Sequence, residues 1–209
     1  MKKVFFEPWV GKDYETGGSL GKKVMALGDS HYCSKDCDAC GKKSNHAECS
    51  GITNEVINAF LHPNSEFESW MPTYTKFERA VNNKELGKIE KEQFWNSIIF
   101  YNYLQKAIGG PRIEPDKNLY SESFEPFIEV LEKYKPDLII VWGQRLYKAL
   151  PPGNGKEGIP LDIEGNLYDK SWIYTLSNGK QVKLYAIDHP SAAFSWEYWH
   201  LIIKAAIEI

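Results

Sequence analysis

Four short apolar runs punctuate this chain, and each stops at a glycine or a polar residue. Val24-Met25-Ala26-Leu27 runs into Gly28, and Ile98-Ile99-Phe100-Tyr101 ends at Asn102. Leu138-Ile139-Ile140-Val141-Trp142 follows Pro136-Asp137 and stops at Gly143, and the segment from Val182 to Ile187 stops at Asp188-His189-Pro190. Runs that are continuous, not alternating, predict strands of a parallel sheet buried on both faces. Helical periodicity lies between and after them. Residues 53–62 and 89–97 predict two helices; Phe124, Phe127, Ile128, Leu131 and Tyr134 mark one face of a third, and Trp199, Ile202, Ile203 and Ala206 one face of a last. Gln144-Arg145 open a further helix. Strand alternating with helix predicts an α/β fold: an open, mostly parallel four-stranded sheet flanked by helices, with right-handed crossovers. Residues of about 151–180, rich in Pro, Gly and Asn, predict loops and a hairpin leading into the last strand.

Open parallel sheets bind ligands beyond the carboxyl ends of their strands. The polar residues after the four strands should therefore converge: Asp29, Ser30 and His31 after the first, Asn102 after the second, Gln144 and Arg145 after the third, His189 and Ser191 after the fourth. Each has a plainer reading. Asn102 fits a turn or cap as well as a ligand contact, Asp29 a helix cap, and Arg145 a solvated charge. Tyr32 fits packing against the cysteines that follow it, Trp142 fits the core, and Phe194 and Trp196 fit anchors for the last helix.

The 209 residues suffice for one domain with a continuous core, and 43% hydrophobic residues argue against disorder. No apolar run reaches the roughly 18 residues of a membrane span. Met1-Lys2-Lys3 followed by Val-Phe-Phe-Glu-Pro does not read as a signal peptide, so a cytoplasmic location is expected, with no membrane association. A net charge of −3 makes no global case for nucleic acid, though a local basic surface is compatible with it. The 7 Trp, 12 Tyr and 10 Phe are chiefly packing residues, from which a few near a site can stack on bases.

The four cysteines, Cys33, Cys37, Cys40 and Cys49, are spaced C-x3-C-x2-C-x8-C, with His46 inside the cluster and His31 just before it. A reducing compartment disfavours disulfides, and four clustered thiolates suit a metal. A structural zinc is expected in a knuckle at about 33–49, with an iron–sulfur cluster as the alternative and His46 able to replace one thiolate.

Three families share pieces of the pattern. Gly28-Asp29-Ser30 and His189 resemble a GDSL-type serine esterase, with Ser30 as nucleophile and His189 as base. That family's Asp three residues before the histidine is Ala186 here, and no Gly-x-Asn-Asp segment is present. Gly28-Asp29-Ser30-His31 also resembles the metallophosphoesterase Gly-Asp-x-His, without the later Gly-Asn-His.

The third likeness spans about residues 22–200, apart from the cysteines. Strand plus Gly28-Asp29-Ser30-His31-Tyr32, strand plus Asn102, Val141-Trp142-Gly143, and His189-Pro190-Ser191-Ala192-Ala193-Phe194-Ser195 follow the order of motifs in the uracil-DNA glycosylase superfamily. The resemblance implies a single domain over 1–209 that acts as a monomer on DNA. It would hydrolyse the N-glycosidic bond of uracil or another modified base flipped out of the helix. His189 would donate to the base carbonyl, Asn102 would read the base edge, and Tyr32 would limit access to the ring. Asp29 would orient water or stabilise the sugar cation. Ser30 and Ser191 would meet phosphates, with Gly28 and His31 completing the substrate site. Gln144, Arg145 and the wedge-like Phe194 would contact DNA. The family's water-positioning Asp falls at Ser30, so a non-catalytic nucleic-acid or nucleotide-binding protein on the same scaffold is the alternative.

Overall fold

The computed structural model describes all residues except 33–46, 63, 65, 111–112 and 192. Along the chain lie β1 (Trp9–Val10), β2 (Val24–Gly28), α1 (Ile52–Leu61), α2 (Met71–Asn82), α3 (Lys88–Asn96), β3 (Ile98–Asn102), α4 (Lys117–Glu122) and α5 (Phe124–Tyr134). There follow β4 (Leu138–Trp142), α6 (Gln144–Ala149), β5 (Gly155–Glu157), β6 (Leu161–Ile163), β7 (Asn166–Tyr168), β8 (Ser171–Thr175), β9 (Gln181–Ile187) and α7 (Trp196–Glu208). No helix among the described residues is long and apolar enough to cross a membrane.

The fold is α/β, but the sheet is mixed and seven-stranded among the described residues, in the order β1-β3-β2-β4-β9-β8-β5. This corrects the expectation of four mostly parallel strands. The four expected strands form its parallel centre, β3-β2-β4-β9. Antiparallel strands extend both sides: β1 on β3, and β8 then β5 beyond β9. The extra strands escape the apolar-run criterion because they are short and partly exposed. β6 and β7 pair apart from the main sheet. The expected hairpin is the β8–β9 pair, closed at Asn178-Gly179.

The central strands read as unbroken apolar runs because successive side chains enter two different cores. Ala26, Phe100, Ile140 and Ile187 join the side chains of α1, α2, α3 and α7 on one face. Leu27, Ile99, Val141 and Ala186 meet those of α5 and α6 on the other. On the first face Trp95 is fully buried among Phe60, Tyr74 and Phe77, and its Nε1 donates to Glu78 Oε2 at 2.9 Å. Burial pushes the Glu78 carboxyl above its usual range, against the pull of Trp95 and Lys91. Trp95→Phe keeps most of the ring but strips that donor from a buried acid. A loss of about 1–3 kcal/mol in urea unfolding is expected.

Register brings the strand ends level. Gly28 pairs with Asn102, Leu27 with Val141, and Trp142 with Ile187. The residues that leave these strands therefore emerge along one edge, and the site lies there.

Candidate active site

A cavity of about 420 Å³ opens at this edge. Gly28, Asp29, Ser30, Asn102, Trp142, His189 and Ser191 contribute from the strand ends, and Trp70, Thr73 and Tyr74 from the start of α2. Phe100 and Asn102, two apart on β3, share a face, so an aromatic ring floors the cavity beside the amide. A second cleft of about 360 Å³ adjoins it, sharing Asp29, Tyr32, Trp142, His189 and Ser191 and adding Gln144 and Arg145.

Asn102 is fixed from two sides. Its Nδ2 donates to the His31 ring, 3.2 Å from Nδ1 and 3.3 Å from Nε2. Its Oδ1 lies over Gly28, so close that a Cβ there would come within 2.2 Å of it. Glycine is required at position 28 by this approach, not by backbone conformation. The His31 ring is buried, faces Phe6 edge-on at 4.7 Å, and meets Thr53 Oγ1 at 3.0 Å through Nε2. Burial pushes its pKa down to about 4, which keeps it neutral behind the amide. His31 thus lies behind Asn102 and is not among the residues lining the cavity. Motif position suggested a contact with substrate, but the segment after β2 runs alongside residues 103–108 and the His31 ring packs against Phe6 and Thr53.

His189 follows β9 and sits edge-on to Trp142, with ring centroids 6.2 Å apart. Its Nδ1 accepts from the Ser191 backbone N–H at 3.2 Å and lies 2.8 Å from the Ser191 hydroxyl. A backbone N–H can only donate, so Nδ1 carries no proton and the neutral ring holds its hydrogen on Nε2. Burial lowers the His189 pKa; Asp29 opposes this and Arg145 adds to it. Nε2 has no hydrogen-bond partner among the described residues. Ser191 therefore acts first on His189, a role not read from the sequence.

Asp29 is tied down. Tyr120 donates its hydroxyl to Oδ1 at 3.2 Å, and Arg145 donates Nε to Oδ2 at 3.1 Å and a second guanidinium hydrogen to the same oxygen. Gly143, at φ 106°, makes the turn that lifts α6 off β4, and so lets Arg145 reach back to Asp29. Tyr32 stands half-exposed at the boundary of both clefts, its hydroxyl pKa raised chiefly by burial. Ser30 Oγ and Trp142 Nε1 are buried without a partner among the described residues, at positions that line the cavity. Ser30 makes no hydrogen bond with His189 among the described residues, so the Ser–His pair of an esterase is not assembled.

Gln144 lines the adjoining cleft, with Nε2 3.5 Å from the Tyr168 hydroxyl and Oε1 buried without a partner among the described residues. Phe194 stacks on Trp199, with centroids 6.0 Å apart and planes at 17°, and packs against the core under α7. This packing matches the plainer of the two readings given for it, an anchor for the last helix. Cys33, Cys37, Cys40 and His46 lie outside the described residues. Cys49 is partly buried in the short turn of helix Ala47–Gly51 that leads into α1. Among the described residues no three His, Cys, Asp or Glu side chains are grouped to hold a metal. Sequence reasoning missed Tyr120, Thr53, Trp70 and Tyr74, and placed Trp142 in the core alone. The signal for Tyr74 was present, because Pro72 opens a helix on which Tyr74, Phe77 and Val81 share a face.

No protein-family model matches the chain, and no curated protein matches it.

Proposed function

We propose that this protein hydrolyses the N-glycosidic bond of uracil or another modified base, turned out of DNA into the strand-end cavity, on a fold that resembles the uracil-DNA glycosylase superfamily. The observation that carries this reading is His189, whose Nδ1 accepts the Ser191 N–H and so leaves a proton on Nε2 beside a cavity walled by Asn102 and aromatic rings. A base entering between Phe100, Tyr74 and Trp142 would exchange water for aromatic surface. Asn102 offers Oδ1 to an N–H on the base edge.

As the C1′–N bond breaks, its electron pair passes to the base, and the His189 Nε2–H hydrogen bond strengthens as charge grows on the base carbonyl. A water oxygen bonds to C1′, and the proton it loses passes through solvent to the departing base, which leaves neutral. Asp29 orients that water through Oδ1, the oxygen that Arg145 leaves unengaged. A structural zinc, or an iron–sulfur cluster, on Cys33, Cys37, Cys40 and Cys49 belongs to this proposal without entering the chemistry.

One observation favours the binding-only alternative: the Arg145 cation already compensates Asp29, which weakens its help to a positive sugar. Release of free base separates the two readings. Purified protein is incubated with labelled oligonucleotides, each carrying a single uracil or modified base, and then treated with hot alkali. Strand breaks at one lesion are expected; tight binding with every strand intact would leave only the alternative.

The same arrangement sets the pH dependence. A histidine with a depressed pKa stays neutral above that value, so base release should hold from alkaline pH down to the ordinary histidine value of 6.5. It should fall only below that, as protonation of Nδ1 breaks the Ser191 N–H contact. Initial rates across this range measure it; a decline beginning well above 6.5 would contradict a depressed His189.

A further inference from the structure

We propose that the strand carrying the extruded base lays its phosphates in a basic trough that leaves the cavity past Arg145 and ends between Lys117 and Lys148. This rests on the glycosylase reading for the direction of the strand, not for the existence of the trough. The two clefts of the site are continuous through Asp29, Tyr32, Trp142, His189 and Ser191. A third cleft, of about 370 Å³, meets the second at Arg145 and is lined by Lys117 and Lys148, with Tyr120 at its wall.

Arg145 is the pivot. Its Nε and one Nη bind Asp29, while its side chain remains half-exposed and the other Nη has no partner among the described residues. Lys117 and Lys148 are exposed and make no ion pair among the described residues. Glu114 is the one carboxylate among the residues lining this third cleft. Asp29 offsets Arg145 and Asp188 also lines the second cleft, so the uncompensated positive charge is concentrated in the third, where Lys117 and Lys148 stand against Glu114. A phosphodiester chain matches both its charge and its continuity with the base site.

The test is the binding of a fluorescein-labelled unmodified oligonucleotide, single-stranded and duplex, followed by anisotropy across a salt series. The full chain is compared with Lys117→Gln/Lys148→Gln and with Glu114→Gln. Each lost phosphate contact lowers the salt slope by about 0.7 for a single strand. The double variant should therefore bind about tenfold more weakly at moderate salt, with a slope shallower by about 1.4. Glu114→Gln should bind more tightly than the native chain, a gain that a misfolded variant would not show. Native affinity and slope in both variants, or no oligonucleotide binding by the native chain, would overturn the trough. Altered slopes without base release from any modified oligonucleotide would uphold the trough while removing the glycosylase reading. Base release with unaltered slopes would do the reverse.

Discussion

His189→Ala is expected to reduce base release by about 10²–10³-fold while the protein folds as before. The ring is held by Ser191 and touches Trp142, but no other hydrogen bond depends on it among the described residues. Its removal should therefore change unfolding stability by less than about 1 kcal/mol. What disappears is the Nε2 hydrogen aimed at developing charge, a donor of the kind worth about 3–4 kcal/mol in a transition state. His189→Gln restores a neutral N–H near the same point and should recover part of the rate. Substrate binding, measured on oligonucleotides that are not turned over, should change far less than the rate. A His189→Ala enzyme as active as the native one would show that charge on the base is stabilised elsewhere.

Gly28→Ala is the second large effect, expected at about 10²-fold in kcat/KM through a single methyl group. The new Cβ would lie 2.2 Å from Asn102 Oδ1 and 3.3 Å from both Asn102 Cγ and the Phe100 ring. The backbone at position 28 is paired with Asn102 in the sheet and cannot retreat cheaply. The amide must yield, and turning away breaks its contact with His31. Overpacking of this kind costs about 1–3 kcal/mol in stability. The sharper signature is non-additivity. Once Asn102→Ala has removed the amide, Gly28→Ala should cost little more, because both changes act on one group. Full additivity in the double variant would mean that Gly28 serves something other than Asn102.

The centre of this fold was legible because four strands are buried on both faces, and that burial writes continuous apolar runs ending at Gly28, Asn102, Gly143 and Asp188. The convergence of Asp29, Asn102 and His189 followed from strand order alone. The edge strands β1 and β5 were not legible, since two or three partly exposed residues carry almost no periodic signal, whereas β8 was foreseen only as the first arm of a hairpin. Helix α2 was legible in principle through Tyr74, Phe77 and Val81, and it supplies the outer wall of the cavity.

The Asp29–Arg145 pair lay out of reach of sequence reading, because its partners are 116 positions apart and meet only when α6 folds back over the first strand end. The packing of His31 and Phe194 lay out of reach for a related reason. A motif fixes position along the chain, while burial against Phe6 and Trp199 decides where each ring points.

The most direct measurement is mass spectrometry of the products formed from a modified oligonucleotide in ¹⁸O-labelled water. The account predicts the intact free base together with an abasic strand that carries one ¹⁸O at C1′, both lost in His189→Ala. Recovery of the strand with its base still attached, across uracil and the common modified bases, would contradict it.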